Sequence, residues 1–146
     1  MSKSEEDLAN IFNLAGYLLE GNIKRGNENK IAVLDGNRTY TYSQLYSLVR
    51  RSASLLAKLG VERENRIGIL LPNRIESIVV FLGAIWLGAV PVPINPACSL
   101  AEINYILQDS RLKVLLTSQA WQELSSDYLR HLLLVDGERS FLSLLE

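Results

Sequence analysis

The chain has little of what usually carries chemistry: one cysteine, Cys98, and one histidine, His131, in 146 residues. A single cysteine excludes an intramolecular disulfide, and the simpler reading is a reducing compartment, the cytoplasm. A lone histidine with no second histidine and no cysteine beside it offers no metal site. It also lacks the adjacent nucleophile that a histidine-assisted mechanism needs, and no cationic neighbour next to Cys98 marks it as an activated thiol. Charge of one sign is missing too. Fifteen basic residues face sixteen acidic ones for a net charge of −1, which leaves no electrostatic footprint for nucleic acid. The doublet Arg50-Arg51 reads as the solvated face of a helix.

Longer signals are absent as well. The opening MSKSEEDLAN is acidic and has no apolar centre, so it is no secretory leader. The uncharged run from Ile78 to Ile94 falls short of the about 20 residues a membrane helix needs, and Pro91 and Pro93 interrupt it. It reads as a buried helix followed by a buried strand. Gly83 and Gly88 have the spacing of a phosphate loop, but Ala89-Val90 stands where Lys-Ser/Thr is required. Those glycines fall in an apolar helix, where close packing of helix on sheet is the expectation. The turn after RIGILL is Pro72-Asn73-Arg74, without the glycine that lets a pyrophosphate approach. Glu62, Glu64, Asp109 and Asp136 are scattered and read as surface charges or caps, and Tyr40 and Tyr42 as staple and core residues. The residues themselves name no catalytic group, no cofactor-binding group and no metal ligand.

What is present is pattern. With 48% hydrophobic and 21% charged residues the chain has ordinary globular composition, enough to bury roughly 70% of the surface its unfolded form exposes. A first helix is expected from Ser4, as N-cap, to Gly21, with Leu8, Ile11, Phe12, Leu14, Ala15, Leu18 and Leu19 at helical spacing. NIKRGNEN follows as a polar loop. IAVLD and RTYTY, joined through Gly-Asn, read as a hairpin. Thr41-Tyr42-Ser43-Gln44 has the form of a capping box, with Tyr40 and Leu45 placed as a hydrophobic staple. The helix it opens carries Leu45, Leu48, Val49, Ala53, Leu56 and Leu59 on one stripe and closes at Gly60.

From there strands and helices alternate: RIGILL (66–71), a helix over 74–88, VPVPI (90–94), a helix opened by the second capping box Ser99-Leu100-Ala101-Glu102, KVLLT (113–117), a short amphipathic piece, and HLLLV (131–135). Apolar strands alternating with helices predict a doubly wound, mainly parallel α/β sheet flanked by helices, with an N-terminal helix and β-hairpin appended. VPVPI carries a constraint of its own. In a parallel strand alternate residues send their N–H to the same neighbour, so Pro91 and Pro93 withhold donors on one side only. That predicts an edge strand. Asn95-Pro96 then releases the chain at the carboxyl end of the sheet, where ligands of open α/β sheets bind.

The order of these pieces is more specific than any one of them. RTYTYSQL, a helix ending LAKLGV, RIGILLPN, FLGAIWLGAVPVPINP and EINYILQDSRLKVLLT together resemble the start of the adenylate-forming (AMP-binding) enzymes, the superfamily of acyl- and aryl-CoA ligases, luciferases and peptide-synthetase adenylation domains. The resemblance covers the chain from about Asn13 onward. Thr41-Tyr42-Ser43-Gln44-Leu45 matches the family's T-Y-x-E-L with Gln for Glu, and NLAGYLLEGNIKRGNENKIA looks most like benzoate-CoA-ligase-type members.

The resemblance implies a two-step reaction. A carboxylic acid attacks Mg-ATP to give acyl-AMP and pyrophosphate, and a thiol of coenzyme A or of a carrier protein's phosphopantetheine then displaces AMP. It also implies that residues 1–146 are an incomplete N-terminal portion of the ligase domain, since the phosphate loop and the C-terminal lid of the family come later than FLSLLE. ATP, Mg²⁺ and the thiol acceptor thus belong to a longer parent; none is expected for this segment, which is expected to be inactive alone. Partners would be the carboxylic acid and an acyl carrier protein or the rest of a multi-domain synthetase. In some aryl-CoA ligases of the family an arginine after Asn-Pro contacts a CoA phosphate. Here Asn95, Pro96 and Ala97 occupy that stretch of the acceptor channel, and Ala97 has no charge to offer, which favours a carrier protein. The second reading is a free-standing, non-catalytic binding or docking module derived from the same fold.

Overall fold

The computed structural model describes residues 12–146. A helix α1 (Leu14–Lys24) precedes an antiparallel hairpin of β1 (Ile31–Asp35) and β2 (Arg38–Thr41). The chain continues through α2 (Tyr42–Lys58), β3 (Arg66–Leu70), α3 (Ile75–Leu87), β4 (Val90–Ile94), α4 (Leu100–Asp109), β5 (Val114–Thr117) and β6 (His131–Leu134). β3 to β6 form one all-parallel sheet in the order β4-β3-β5-β6.

The order explains the layering. The connection from β3 to β4 crosses in one direction and that from β4 to β5 in the other, so right-handed crossovers set α3 and α4 on opposite faces. Alternate residues of the strands divide between the two cores. Ile67, Ile69 and Leu71 join Val114, Leu116 and Leu133 in a core with Val49 and Leu56 of α2 and Val79, Val80 and Ala84 of α3. Leu70, Ile94 and Leu115 face Ile103 and Leu107 of α4. Fully burying each of these Leu, Ile and Val side chains contributes about 1.5–3 kcal/mol. This is the doubly wound arrangement that the strand and helix order predicts. Between β5 and β6 a 3-10 turn at Gln119–Trp121 replaces a full helix, and Trp121, Leu124 and Leu129 close over the α4 side.

Both capping boxes are formed. Thr41 Oγ1 accepts from the Gln44 N–H while Gln44 Oε1 accepts from the Thr41 N–H; Ser99 and Glu102 do the same for α4. VPVPI is the edge strand, paired only with β3. The Val90 N–H donates to Asn65 O, which turns the alternate positions Pro91 and Pro93 toward the open side.

Three expectations are corrected. The first helix neither stops at Gly21 nor, among the described residues, continues upstream of Leu14; the Ser4 cap, Leu8 and Ile11 lie outside them. Asn13 is the N-cap, its Oδ1 accepting from the Gly16 N–H while its Nδ2 donates to Ile85 O and Trp86 O of α3. Gly21 is helical, Asn22, Ile23 and Lys24 continue the helix instead of opening a loop, and the helix ends at Arg25 ahead of Gly26 at φ +76. Gly83 packs against another helix and not the sheet: a Cβ there would lie 2.5 Å from Ser52 Oγ of α2. Gly88 is the left-handed cap that ends α3, at φ +84, and is not an interior residue. Arg50 and Arg51, finally, are not merely solvated. Arg50 lies over the rings of Tyr46 and Trp86, and Arg51 Nη1 donates to Leu145 O.

Candidate functional site at the carboxyl end of the sheet

β3 and β5 are neighbours whose onward connections leave in opposite directions, which makes the crevice beyond their carboxyl ends the topological switch point. Four loops reach this end: Pro72-Asn73-Arg74 after β3, Asn95-Pro96-Ala97 after β4, Ser118-Gln119 after β5 and Asp136-Gly137 after β6. The predicted acceptor residues therefore sit on the edge-strand side of that shelf.

Their geometry is a closed turn. Asn95 Oδ1 accepts from the Ala97 N–H at 3.0 Å, and Asn95 O accepts from the Cys98 N–H at 3.0 Å. Pro96 supplies the fixed φ such a turn uses. The turn hands directly to Ser99, the cap of α4. Asn95 and Ala97 are exposed, Pro96 and Cys98 half-buried. One turn further on, Leu100 and Asn104 line an open cleft of about 410 Å³ whose other wall is Ala120, Trp121, Glu123, Leu124 and Ser125.

The remaining polar groups hold the shelf. The Thr117 hydroxyl, fully buried, donates to Leu70 O at 3.2 Å across the β3–β5 junction. Asp136 accepts from the Gln119 N–H at 3.1 Å, tying the β5 and β6 loops. Arg74 grips Glu76 through two contacts, Nε to Oε2 at 2.7 Å and Nη2 to Oε1 at 3.0 Å, and Glu76 is 2% exposed. Asp35 of the hairpin pairs with Arg38 and accepts from the Ile75 N–H at 3.4 Å, so the hairpin is docked onto the start of α3. The Asp35 carboxylate holds the Arg38 guanidinium above its ordinary range, chiefly by hydrogen bonding. The Glu102 carboxyl is held below its ordinary range by the Ser99 hydroxyl and then the Ser99 N–H.

Asn95, Thr117, Asp136, Arg74, Glu76, Asp35 and Glu102 are each occupied with a loop or helix of their own chain. His131 begins β6, at the opposite end of the sheet from Asn95, and Cys98 stays half-buried as a free thiol, so the two are not brought together. Among the described residues no three His, Cys, Asp or Glu side chains cluster to hold a metal, and no helix is long and apolar enough to cross a membrane. Sequence reasoning missed the buried pair Arg74–Glu76 and the Thr117 brace; a lone acid at the head of the apolar run Ile78 to Leu82, with Arg74 two residues before it, was the available signal. The arrangement can position and brace.

Comparison with known proteins gives this shelf a family. The AMP-binding enzyme model matches residues 19–141. The chain is 37% identical over 107 residues to a 4-hydroxybenzoate–CoA/benzoate–CoA ligase of Rhodopseudomonas palustris, over 73% of this chain and 20% of that protein. It is 34% identical over 127 residues to surfactin synthase subunit 2 of Bacillus subtilis, covering 87% of this chain and 4% of the other. The crystal structure of the anthranilate CoA ligase AuaEII in complex with anthranoyl-AMP superposes with a TM-score of 0.84 at 29% identity, over 98% of this chain and 28% of that one. The chain thus spans about a fifth of the first of these relatives and far less of the synthase. With the model matched over most of its length and the doubly wound sheet in place, the chain belongs to the AMP-binding enzyme family, as part of the N-terminal region of an acyl- or aryl-CoA-ligase-type member.

Proposed function

We propose that this chain is the scaffold portion of an acid–thiol ligase. Its longer parent joins a carboxylic acid to AMP with Mg-ATP and passes the acyl group to the thiol of coenzyme A or of a carrier-bound phosphopantetheine. In the first step a carboxylate oxygen attacks the α-phosphorus, the bond to the β-phosphate oxygen breaks, and pyrophosphate leaves. In the second the thiol attacks the acyl carbon and AMP leaves. The observation that carries this reading is the match of the family model to residues 19–141 on a doubly wound sheet whose carboxyl end is braced by Thr117, Asp136 and the Arg74–Glu76 pair. The phosphate-handling residues of such a reaction act through preorganised charge, which the carboxyl-end loops are proposed to leave to other parts of the parent. Residues 1–146 are accordingly proposed as an incomplete part of the ligase domain, without adenylating activity alone. Cys98, unpaired, fits the reducing cytoplasm.

Asn95, Pro96 and Ala97 are proposed to border the path of the acceptor thiol. The uncharged Ala97 favours a carrier protein over free coenzyme A, and the likeness to a surfactin synthase subunit is in keeping with a place in a larger assembly. The test is mass-spectrometric capture of acyl-AMP from the parent reading frame, read downstream of Glu146, with a panel of aryl and fatty acids. An acyl-AMP product, followed by thioester on a carrier in preference to coenzyme A, supports the reading. A reading frame that ends at Glu146 without a phosphate loop supports the docking module instead.

A further inference from the structure

At the opposite, amino end of the sheet three cations stand in a row. The register pairs Ile67 with Val114 and Val114 with His131, so the residues just before them, Arg66, Lys113 and Arg130, are adjacent across β3, β5 and β6. Backbone bonds confirm the row: the Lys113 N–H donates to Arg66 O at 3.0 Å, and the Arg130 N–H to Lys113 O at 2.9 Å. Neighbouring parallel strands lie about 4.8 Å apart, and like charges directly opposite one another are destabilising. A fourth cation, Arg111, enters the same cleft from the turn before β5. It sits at φ 51, in the left-handed region that favours glycine, and lies over the Tyr128 ring.

These four side chains, with Asn65 and Tyr128, line a cleft of about 200 Å³ that contains no carboxylate. The ion pairs found among the described residues, Arg38–Asp35 and Arg74–Glu76, involve none of them. Lys113 Nζ donates to neutral oxygens, Gly60 O and Asn65 Oδ1, and Arg130 Nη1 to Asp127 O. Four like charges gathered from distant positions, on a chain whose net charge is −1, are a local conflict of the kind that marks a functional site. A multiply charged anion resolves it. We propose that this cleft binds a phosphate group carrying two or more negative charges, through charge-assisted hydrogen bonds from Arg66, Arg111 and Arg130. The site is separate from the carboxyl-end shelf and does not depend on the ligase reading.

The test uses the 146-residue chain, with circular dichroism to follow its fold. Tripolyphosphate is titrated calorimetrically at about 0.01 M and 0.15 M salt, since screening lengths of about 30 and 8 Å distinguish diffuse from contact attraction. One saturable site per chain is expected at both. The double variant Arg66→Gln/Arg130→Gln should bind at least about tenfold more weakly while melting no lower than the unsubstituted chain without ligand. Arg111→Gly, which suits the backbone there, serves as a second variant with the same expected loss. The control Lys24→Gln/Arg50→Gln removes equal charge elsewhere and should bind as before. A parallel arm presents phosphatidylcholine vesicles with and without phosphatidic acid. Binding to the acidic vesicles alone assigns the phosphate to a lipid headgroup, and binding to tripolyphosphate alone to a soluble ligand. Absence of saturable binding in both arms, or equal weakening in the control, overturns the proposal.

Discussion

Ser52 of α2 and Gly83 of α3 are in contact across the two helices: a Cβ on Gly83 would fall 2.5 Å from Ser52 Oγ and 2.9 Å from Ser52 Cβ. The Ser52 hydroxyl is fully buried and has no hydrogen-bond partner among the described residues. Two consequences separate cleanly. Gly83→Ala forces the helices apart and should cost about 1–3 kcal/mol as overpacking. Ser52→Ala removes an unsatisfied buried hydroxyl and should leave stability unchanged or raise it. The double variant should recover part of the Gly83→Ala loss, because Oγ is gone while the residue 52 Cβ at 2.9 Å and the Ala53 N at 3.2 Å remain. Urea unfolding of the four proteins checks the cycle.

The ion pair of Arg74 and Glu76 is unequal in burial, 33% against 2% side-chain exposure. Arg74→Ala strands a buried carboxylate and is expected to cost about 3–5 kcal/mol. Glu76→Gln leaves a guanidinium that can turn to water and should cost clearly less. Denaturant midpoints of the two variants, compared directly, decide the order.

Pro91 and Pro93 keep the free edge of β4 without donors. Restoring them with Pro91→Val/Pro93→Val should leave the fold intact by circular dichroism and give concentration-dependent self-association through the new edge. Sedimentation velocity reads that outcome directly; a double variant that stays monomeric would show that the prolines do not guard the edge.

The box of Ser99 and Glu102 titrates. Because the folded-state Glu102 pKa lies below its ordinary value, its contribution is full above about pH 4.3 and fades as pH falls through the lowered folded value. Glu102→Gln keeps an acceptor for the Ser99 N–H, as Gln44 does for Thr41, but cannot titrate. Its melting temperature should therefore fall less than that of the parent chain between pH 5 and pH 3.

What the sequence disclosed was whatever it encodes over a few neighbours. Both capping boxes span four residues, and the two prolines of VPVPI constrain one strand and one of its sides, so their consequences were readable before any packing was known. The α1 boundaries were not. Asn13 caps its own helix while holding carbonyls of Ile85 and Trp86, a contact made only after the chain has folded back. Gly83 was visible as a packing glycine, but its partner, Ser52, is on a different helix that sequence spacing does not identify. The row of Arg66, Lys113 and Arg130 was invisible for the same reason: its members are adjacent only through strand register. At the carboxyl end the turn of Asn95 to Ala97 was legible, whereas the buried Arg74–Glu76 pair and the Thr117 brace depend on the sheet around them.

Residues 1–146 are proposed as a braced support, with the adenylating chemistry assigned to other parts of the proposed parent ligase. Radiolabelled pyrophosphate exchange into ATP, measured on this chain with Mg²⁺ and a panel of aryl and fatty acids, tests that assignment most directly. No exchange above the enzyme-free background is expected, with exchange appearing once the remaining polypeptide of the proposed parent ligase is supplied. Acid-dependent exchange catalysed by the 146-residue chain alone would contradict the account.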